Sequence, residues 1–224
     1  MSTNGDRDWL DRYYTPDRTV RAILERVRFP FWFESRDPNV LVIEPHVGGG
    51  SFAKAARDRF RDRCTVVGID VDPEASGFAA CNRAVVSDWR ETRRDQIFGP
   101  EWRETRCDQI IGTLPYDQVL IIGNPPYGVK RKGEWQEHVE HSFSVAPEAN
   151  VVFVLKLSFL AGLGRHAFWE KHPPLKVEVL SRRPSFSGDG NTDRFTDYCV
   201  VTWAPYQMRP RETALGWILE DPAA

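Results

Sequence analysis

The 224 residues are enough for one sizeable core, and 41% hydrophobic with 28% charged content excludes a disordered, fibrous or membrane-embedded chain. No run approaches the ~18 consecutive apolar residues of a membrane span, and the polar opening Met1-Ser2-Thr3-Asn4-Gly5-Asp6-Arg7-Asp8 lacks the apolar core of a signal peptide, so a cytoplasmic protein is expected. A net charge of −2 excludes a polycation, and any nucleic-acid partner must be met by basic residues gathered on one face.

In chain order, residues 1–12 read as a polar tail. A first helix is predicted over 16–33, with Thr15 as its N-cap and Pro16 at the first helical position. Residues 40–43 form an apolar run typical of a buried strand, followed by the turn Gly48-Gly49-Gly50 and a helix beginning near Ser51. Further strands are predicted at 65–69, 84–86, 119–122 and 151–157, with a helix over 134–145 before the last of these. Two late strands, 176–180 and 198–203, flank a loop at 185–192 rich in Gly, Ser and Asn. Alternating strands and helices predict a mainly parallel sheet covered by helices. The count is seven strands in a single α/β domain spanning 1–224, ending in an antiparallel hairpin. The four cysteines, Cys64, Cys81, Cys107 and Cys199, include no CxxC pair. That pattern predicts free thiols rather than a zinc site or a disulfide framework, and no metal is expected.

Residues 89–99 recur almost unchanged as 102–112, from Trp89-Arg90-Glu91-Thr92-Arg93 to Trp102-Arg103-Glu104-Thr105-Arg106. Two copies do not make a solenoid. The segment 89–116 reads as a tandem duplication lengthening one connection; alternatively, Arg90, Arg93, Arg103 and Arg106 face a polyanion.

The most informative residues are Asn124-Pro125-Pro126-Tyr127, directly after a predicted strand. An aromatic amine is a poor nucleophile because its lone pair is delocalised into the ring. Two acceptors aimed at the amino hydrogens, the Asn124 amide oxygen and the Pro125 carbonyl, localise that pair, and the prolines preorganise both. Tyr127 offers a flat face on which an extruded base can stack.

Glu44-Pro45-His46-Val47-Gly48-Gly49-Gly50 follows the first strand, where glycines let backbone approach a ligand closely. The spacing is not GxGxxG, so a dinucleotide fingerprint fits poorly. Asp70 ends the second strand and can accept two ribose hydroxyls. Asp88 follows the third, where a carboxylate can take an adenine amino group. Either acid alone reads as a turn residue; in register behind a glycine turn they form a nucleoside pocket.

Together these residues resemble the motifs of class I N6-adenine DNA methyltransferases, especially small phage and prophage enzymes. The likeness runs from about Tyr14 to Trp203. Glu44-Pro45 resembles the first-strand motif, Tyr14-Thr15-Pro16 the N-terminal cofactor motif, and Arg183-Pro184-Ser185-Phe186 the late motif. The resemblance implies a Rossmann-like fold and S-adenosyl-L-methionine as cofactor, held by Tyr14, Thr15, Pro16, Glu44, Pro45, Gly48, Gly50, Asp70, Asp88 and Asn124. It implies a nucleic-acid substrate, most naturally DNA, with Phe186 against the flipped base opposite Tyr127 and Lys130, Arg131 and Lys132 as phosphate contacts. Three features depart from the family pattern. His46-Val47 stands where a small residue is usual, the duplication lengthens the path to Asn124, and no target-recognition domain follows the last predicted strand. Low or very short sequence specificity is therefore expected. The same tetrapeptide serves adenine methylation in RNA and glutamine methylation in proteins, and a catalytically silent binding subunit is a further alternative.

Overall fold

The computed structural model describes residues 14–29, 38–100, 116–128, 133–186, 196–205, 208 and 210–220. The second copy of the repeat and Lys130, Arg131 and Lys132 lie outside the described residues.

Eight strands form one sheet in the order β3-β2-β1-β4-β5-β7-β6-β8. They are β1 (Val40–Glu44), β2 (Cys64–Asp70), β3 (Arg83–Val86), β4 (Gln118–Gly123), β5 (Asn150–Lys156), β6 (Lys176–Leu180), β7 (Tyr198–Trp203) and β8 (Ala214–Ile218). The first five run parallel. β7 is inserted between β5 and β6 and is antiparallel to both. Every residue of β1 and β4 is buried, as expected of central parallel strands covered on both faces.

The helices are α1 (Asp17–Arg26), α2 (Ser51–Phe60), α3 (Arg94–Phe98), α4 (Glu134–Val145) and α5 (Leu163–Lys171). From β1 the chain crosses through α2 to β2; from β4 it crosses through α4 to β5, in the opposite direction along the sheet. Right-handed crossovers therefore put α2 and α4 on opposite faces. α1 packs against α2, burying Val20, Ile23 and Leu24.

Two expectations are corrected. The sheet has eight strands, not seven. β8 has Gly216 at its centre and only Ile218 buried, so no apolar run announces it; what holds it is its parallel backbone register along β6. The first helix is shorter than 16–33. Pro16, with ψ of 142°, is itself the N-cap, and Val27 is extended with ψ of 125°. Pro30 also disfavours helical backbone at Phe29. Thr15 makes no side-chain cap, and its buried hydroxyl has no hydrogen-bond partner among the described residues.

The first repeat copy is part of the core rather than a surface insertion. Trp89, Ile97 and Phe98 are buried, and Trp89 Nε1–H donates to the His138 carbonyl of α4 (3.1 Å). No helix of the described residues is long and apolar enough to cross a membrane.

Candidate active site

The parallel strands all present their carboxyl ends on one edge. Glu44 ends β1, Asp70 ends β2, Asp88 follows β3, Asn124 follows β4 and Lys156 ends β5. Strand order reverses between β1 and β4, and such a switch point opens a crevice beyond the strand ends.

On the β1 side, Glu44 is 2% exposed. Its Oε2 accepts the Ala53 N–H (2.8 Å), a free donor in the first turn of α2. The N-cap of that helix is Gly50, which has no side chain to do this itself. Burial pushes the Glu44 carboxyl up to about 8, against the opposing effect of the Ala53 and Phe52 N–H groups. Gly50 has φ of 74°, and a Cβ there would lie 2.6 Å from Gly77 Cα. Gly77 N–H in turn donates to Gly48 O (2.8 Å), so two glycine backbones touch beneath the turn.

The Gly48 N–H donates to Asp70 Oδ2 (2.8 Å), and the Asp72 N–H to Asp70 Oδ1 (2.9 Å). A carboxylate has about four acceptor sites, so lone pairs remain beside the turn. The ring of Tyr14 lies over Gly48 and Gly49, at 3.2 and 3.0 Å from where their Cβ atoms would stand. The structure therefore brings together Tyr14, the glycine turn, Glu44 and Asp70.

Asp88 is more fully engaged. Its Oδ1 accepts Arg90 N–H (2.9 Å) and Nε–H (3.0 Å), and its Oδ2 lies 2.5 Å from Arg90 Nη2. Hydrogen bonds from Arg90 hold the Asp88 carboxyl below its usual range. Arg90 also reaches Glu134 and Glu137, each at 3.3 Å. Arg93 pairs with Asp95. Of the four arginines considered for a polyanion, Arg90 is thus committed within the fold and Arg93 is exposed beside Asp95; Arg103 and Arg106 lie outside the described residues.

His46 Nε2 is 3.0 Å from Nδ1 of the buried His138. Burial pushes both imidazoles down, His138 to about 4, so both rings are neutral and one N–H lies between them. His138 was not anticipated from the sequence; its position on the inner face of α4, four residues before Ser142, is the only local signal.

On the β4 side, Asn124 is half-buried, Pro125 and Tyr127 are buried, and a Cβ on Gly123 would lie 3.6 Å from Pro45 Cδ. The tetrapeptide and the Glu44-Pro45 turn are therefore neighbours. Tyr127 O–H lies 2.5 Å from Asn124 Oδ1 and 3.1 Å from Val154 O. Its ring meets Phe159 edge-on (5.7 Å) and Tyr198 at a tilt (6.1 Å), while Lys156 Nζ stands 5.2 Å above its centroid. Phe159 stacks on Trp135 at 5.0 Å, which braces Tyr127 from below. Phe186 is buried and packs edge-on against Tyr198 at 4.8 Å, so Phe186 and Tyr127 share one aromatic neighbour.

Cys64, Cys81 and Cys199 are free, with burial pushing their thiols up to about 11, 12 and 12. Such thiols are poor nucleophiles and redox sensors.

No family model matches the chain, and no curated protein does. Solved structures do. A Listeria monocytogenes protein assigned as a class I S-adenosylmethionine-dependent methyltransferase aligns at 14% identity and a TM-score of 0.60, covering 98% of this chain and 70% of that one. The modification subunit assigned to a type I restriction enzyme of Vibrio vulnificus aligns at 14% identity and a TM-score of 0.61, over 99% of this chain and 49% of that one. A type I restriction-modification methyltransferase subunit of Streptococcus thermophilus aligns at 15% identity and a TM-score of 0.60, over 92% and 47%. The chain spans about half the length of those two subunits. Its architecture is the class I methyltransferase fold, a mostly parallel sheet completed by an antiparallel strand.

Proposed function

We propose that this chain transfers a methyl group from S-adenosylmethionine to the N6 amino group of an extruded adenine in DNA. The observation that carries the reading is Asn124-Pro125-Pro126-Tyr127 at the carboxyl end of β4, directly after Gly123, which neighbours Pro45 of the turn after β1. The likeness in fold to restriction-modification methyltransferase subunits supports DNA as the polymer.

The residues fit the cofactor. The turn at Gly48 and Gly50 packs too closely on Tyr14 and Gly77 to admit a Cβ, which keeps its backbone bare, and Asp70 keeps acceptor capacity beside it. In this reading Tyr14, Thr15 and Pro16 close over the turn, Glu44 and Pro45 shape its floor, and Asp70 takes the ribose hydroxyls. Asp88 offers the adenine amino group only what Arg90 leaves of its carboxylate. When bound, the cofactor supplies an electrophilic methyl group on a sulfonium.

The chain's own residues prepare the amine. Asn124 Oδ1, beside the Tyr127 hydroxyl, accepts one amino hydrogen. The Pro125 carbonyl accepts the second. Held in this way, the nitrogen loses conjugation with the ring and its lone pair points at the methyl group. Preorganised acceptors in a partly dry crevice need no reorganisation as charge develops. Tyr127 and Phe186 supply aromatic surface for the flipped base, and Lys130, Arg131 and Lys132 meet phosphates. Low specificity, or a very short site, is part of this reading.

The test separates chemistry from cofactor binding. Asn124→Ala should lower methyl transfer by a factor of about 100 or more while calorimetry finds cofactor affinity nearly unchanged. Loss of both together contradicts the role given to Asn124.

A further inference from the structure

We propose that Lys156 is a substrate-positioning residue, whose ammonium covers the Tyr127 ring in the free protein and moves to a phosphate flanking the extruded nucleotide when the base takes that ring face. The inference rests on the adenine reading above and deepens it.

Lys156 is the last residue of β5 and is half-buried. Its backbone is fixed opposite Tyr198 in the β5–β7 ladder, so its position at the rim is rigid while its side chain is not. The ammonium stands 5.2 Å above the centroid of Tyr127, whose hydroxyl touches Asn124. A cation over an aromatic face is attracted by the ring quadrupole, and it occupies the face on which a base would stack.

The charge balance around it is unusual. Two cations of the same neighbourhood are committed: Arg183 to Asp197 at 2.8 Å, and Arg165 to the carbonyls of Ser158 and Ala161 at 3.1 and 2.7 Å. Lys156 has no carboxylate partner among the described residues. Among the described residues the ammonium is met only by a ring, and a half-buried cation gains by meeting an anion. The four-carbon stem of lysine lets the ammonium travel several ångströms without moving the strand, and lysine binds phosphate as a compact point charge.

An extruded nucleotide brings both exchange partners at once, a base for the ring and a phosphate for the ammonium. The residue would thereby favour a nucleotide within a strand over a free nucleoside.

The test uses the full chain with Lys156→Gln and Lys156→Arg. Binding of a fluorescent single-stranded oligonucleotide is followed by anisotropy across a salt series, and cofactor binding by calorimetry without nucleic acid. Lys156→Gln should weaken oligonucleotide binding on the order of tenfold at low salt and reduce the slope of log K against log salt by about 0.7, the share of one single-strand phosphate. Lys156→Arg should restore most of both, and cofactor affinity should not change in either variant. A wild-type salt slope in Lys156→Gln overturns the proposal. So does a fall in cofactor affinity, which would assign the ammonium to the cofactor's carboxylate. If the wild-type chain methylates the oligonucleotide while Lys156→Gln binds it normally, only this inference falls. If the wild-type chain neither binds nor methylates nucleic acid, the adenine reading fails and this inference with it.

Discussion

Glu44 is under electrostatic tension at the residue scale. Its carboxyl is sealed from water yet oriented by N–H donors at the start of α2, and burial outweighs those donors in lifting it to about 8 from an ordinary 4.5. A folded-state value above the unfolded one means that the folded chain holds the proton more tightly. The stabilisation is therefore complete below about pH 4.5 and is lost as pH rises through about 8. Glu44→Gln keeps an acceptor for Ala53 and removes the ionisation. Its melting temperature, compared with wild type between pH 5 and 8.5, should gain steadily on wild type as pH rises. A constant difference across that range would mean that Glu44 does not titrate as burial dictates. His46 and His138 stand next to the same turn, and burial holds both neutral in the folded chain.

At the scale of elements, the glycines separate into those held by contact and those that are not. A Cβ on Gly77 would lie 2.5 Å from Gly50 N and 2.9 Å from Gly48 O, all backbone atoms that cannot yield cheaply. Gly77→Ala should cost about 2 kcal/mol or more in urea unfolding and weaken cofactor binding, because the turn it supports must shift. Gly164, in the first turn of α5, has nothing within 4 Å of its missing Cβ. Gly164→Ala should therefore stabilise by about 0.5 kcal/mol, and equal effects at the two positions would contradict the packing described here. The same scale shows where sequence patterning succeeds. The ranges 134–145, 176–180 and 198–203 match α4, β6 and β7 to the residue, since each is a strongly periodic or continuous apolar run. β8 escaped notice because an exposed edge strand with a central glycine carries no hydrophobic signature. Thr15 and Pro16 matched a helix-start pattern, but Pro16 adopts the extended N-cap geometry itself.

At the scale of the molecule, five parallel strands deliver Glu44, Asp70, Asp88, Asn124 and Lys156 to one edge. The first four were legible because each sits in a short motif directly after an apolar run. Partners supplied across the fold were not legible: Gly77 under the glycine turn, His138 against His46, Arg90 on Asp88, and Tyr198 between the neighbourhoods of Tyr127 and Phe186. The Gly77 and His138 contacts join residues 27 and 92 positions from Gly50 and His46, a separation no local spacing encodes, and the Arg90 contact with Asp88, though local, has no sequence signature. The chain has the class I methyltransferase fold, which hosts many substrates, so the chemistry must be argued from the site. The most direct measurement incubates the protein with tritiated S-adenosylmethionine and matched single-stranded DNA, duplex DNA and RNA, then identifies the labelled nucleoside by mass spectrometry. N6-methyladenine in DNA is the expected product. Label in RNA alone would move the substrate to that polymer, and cofactor binding with no label in any nucleic acid would contradict adenine methylation and turn attention to a protein glutamine or a silent subunit.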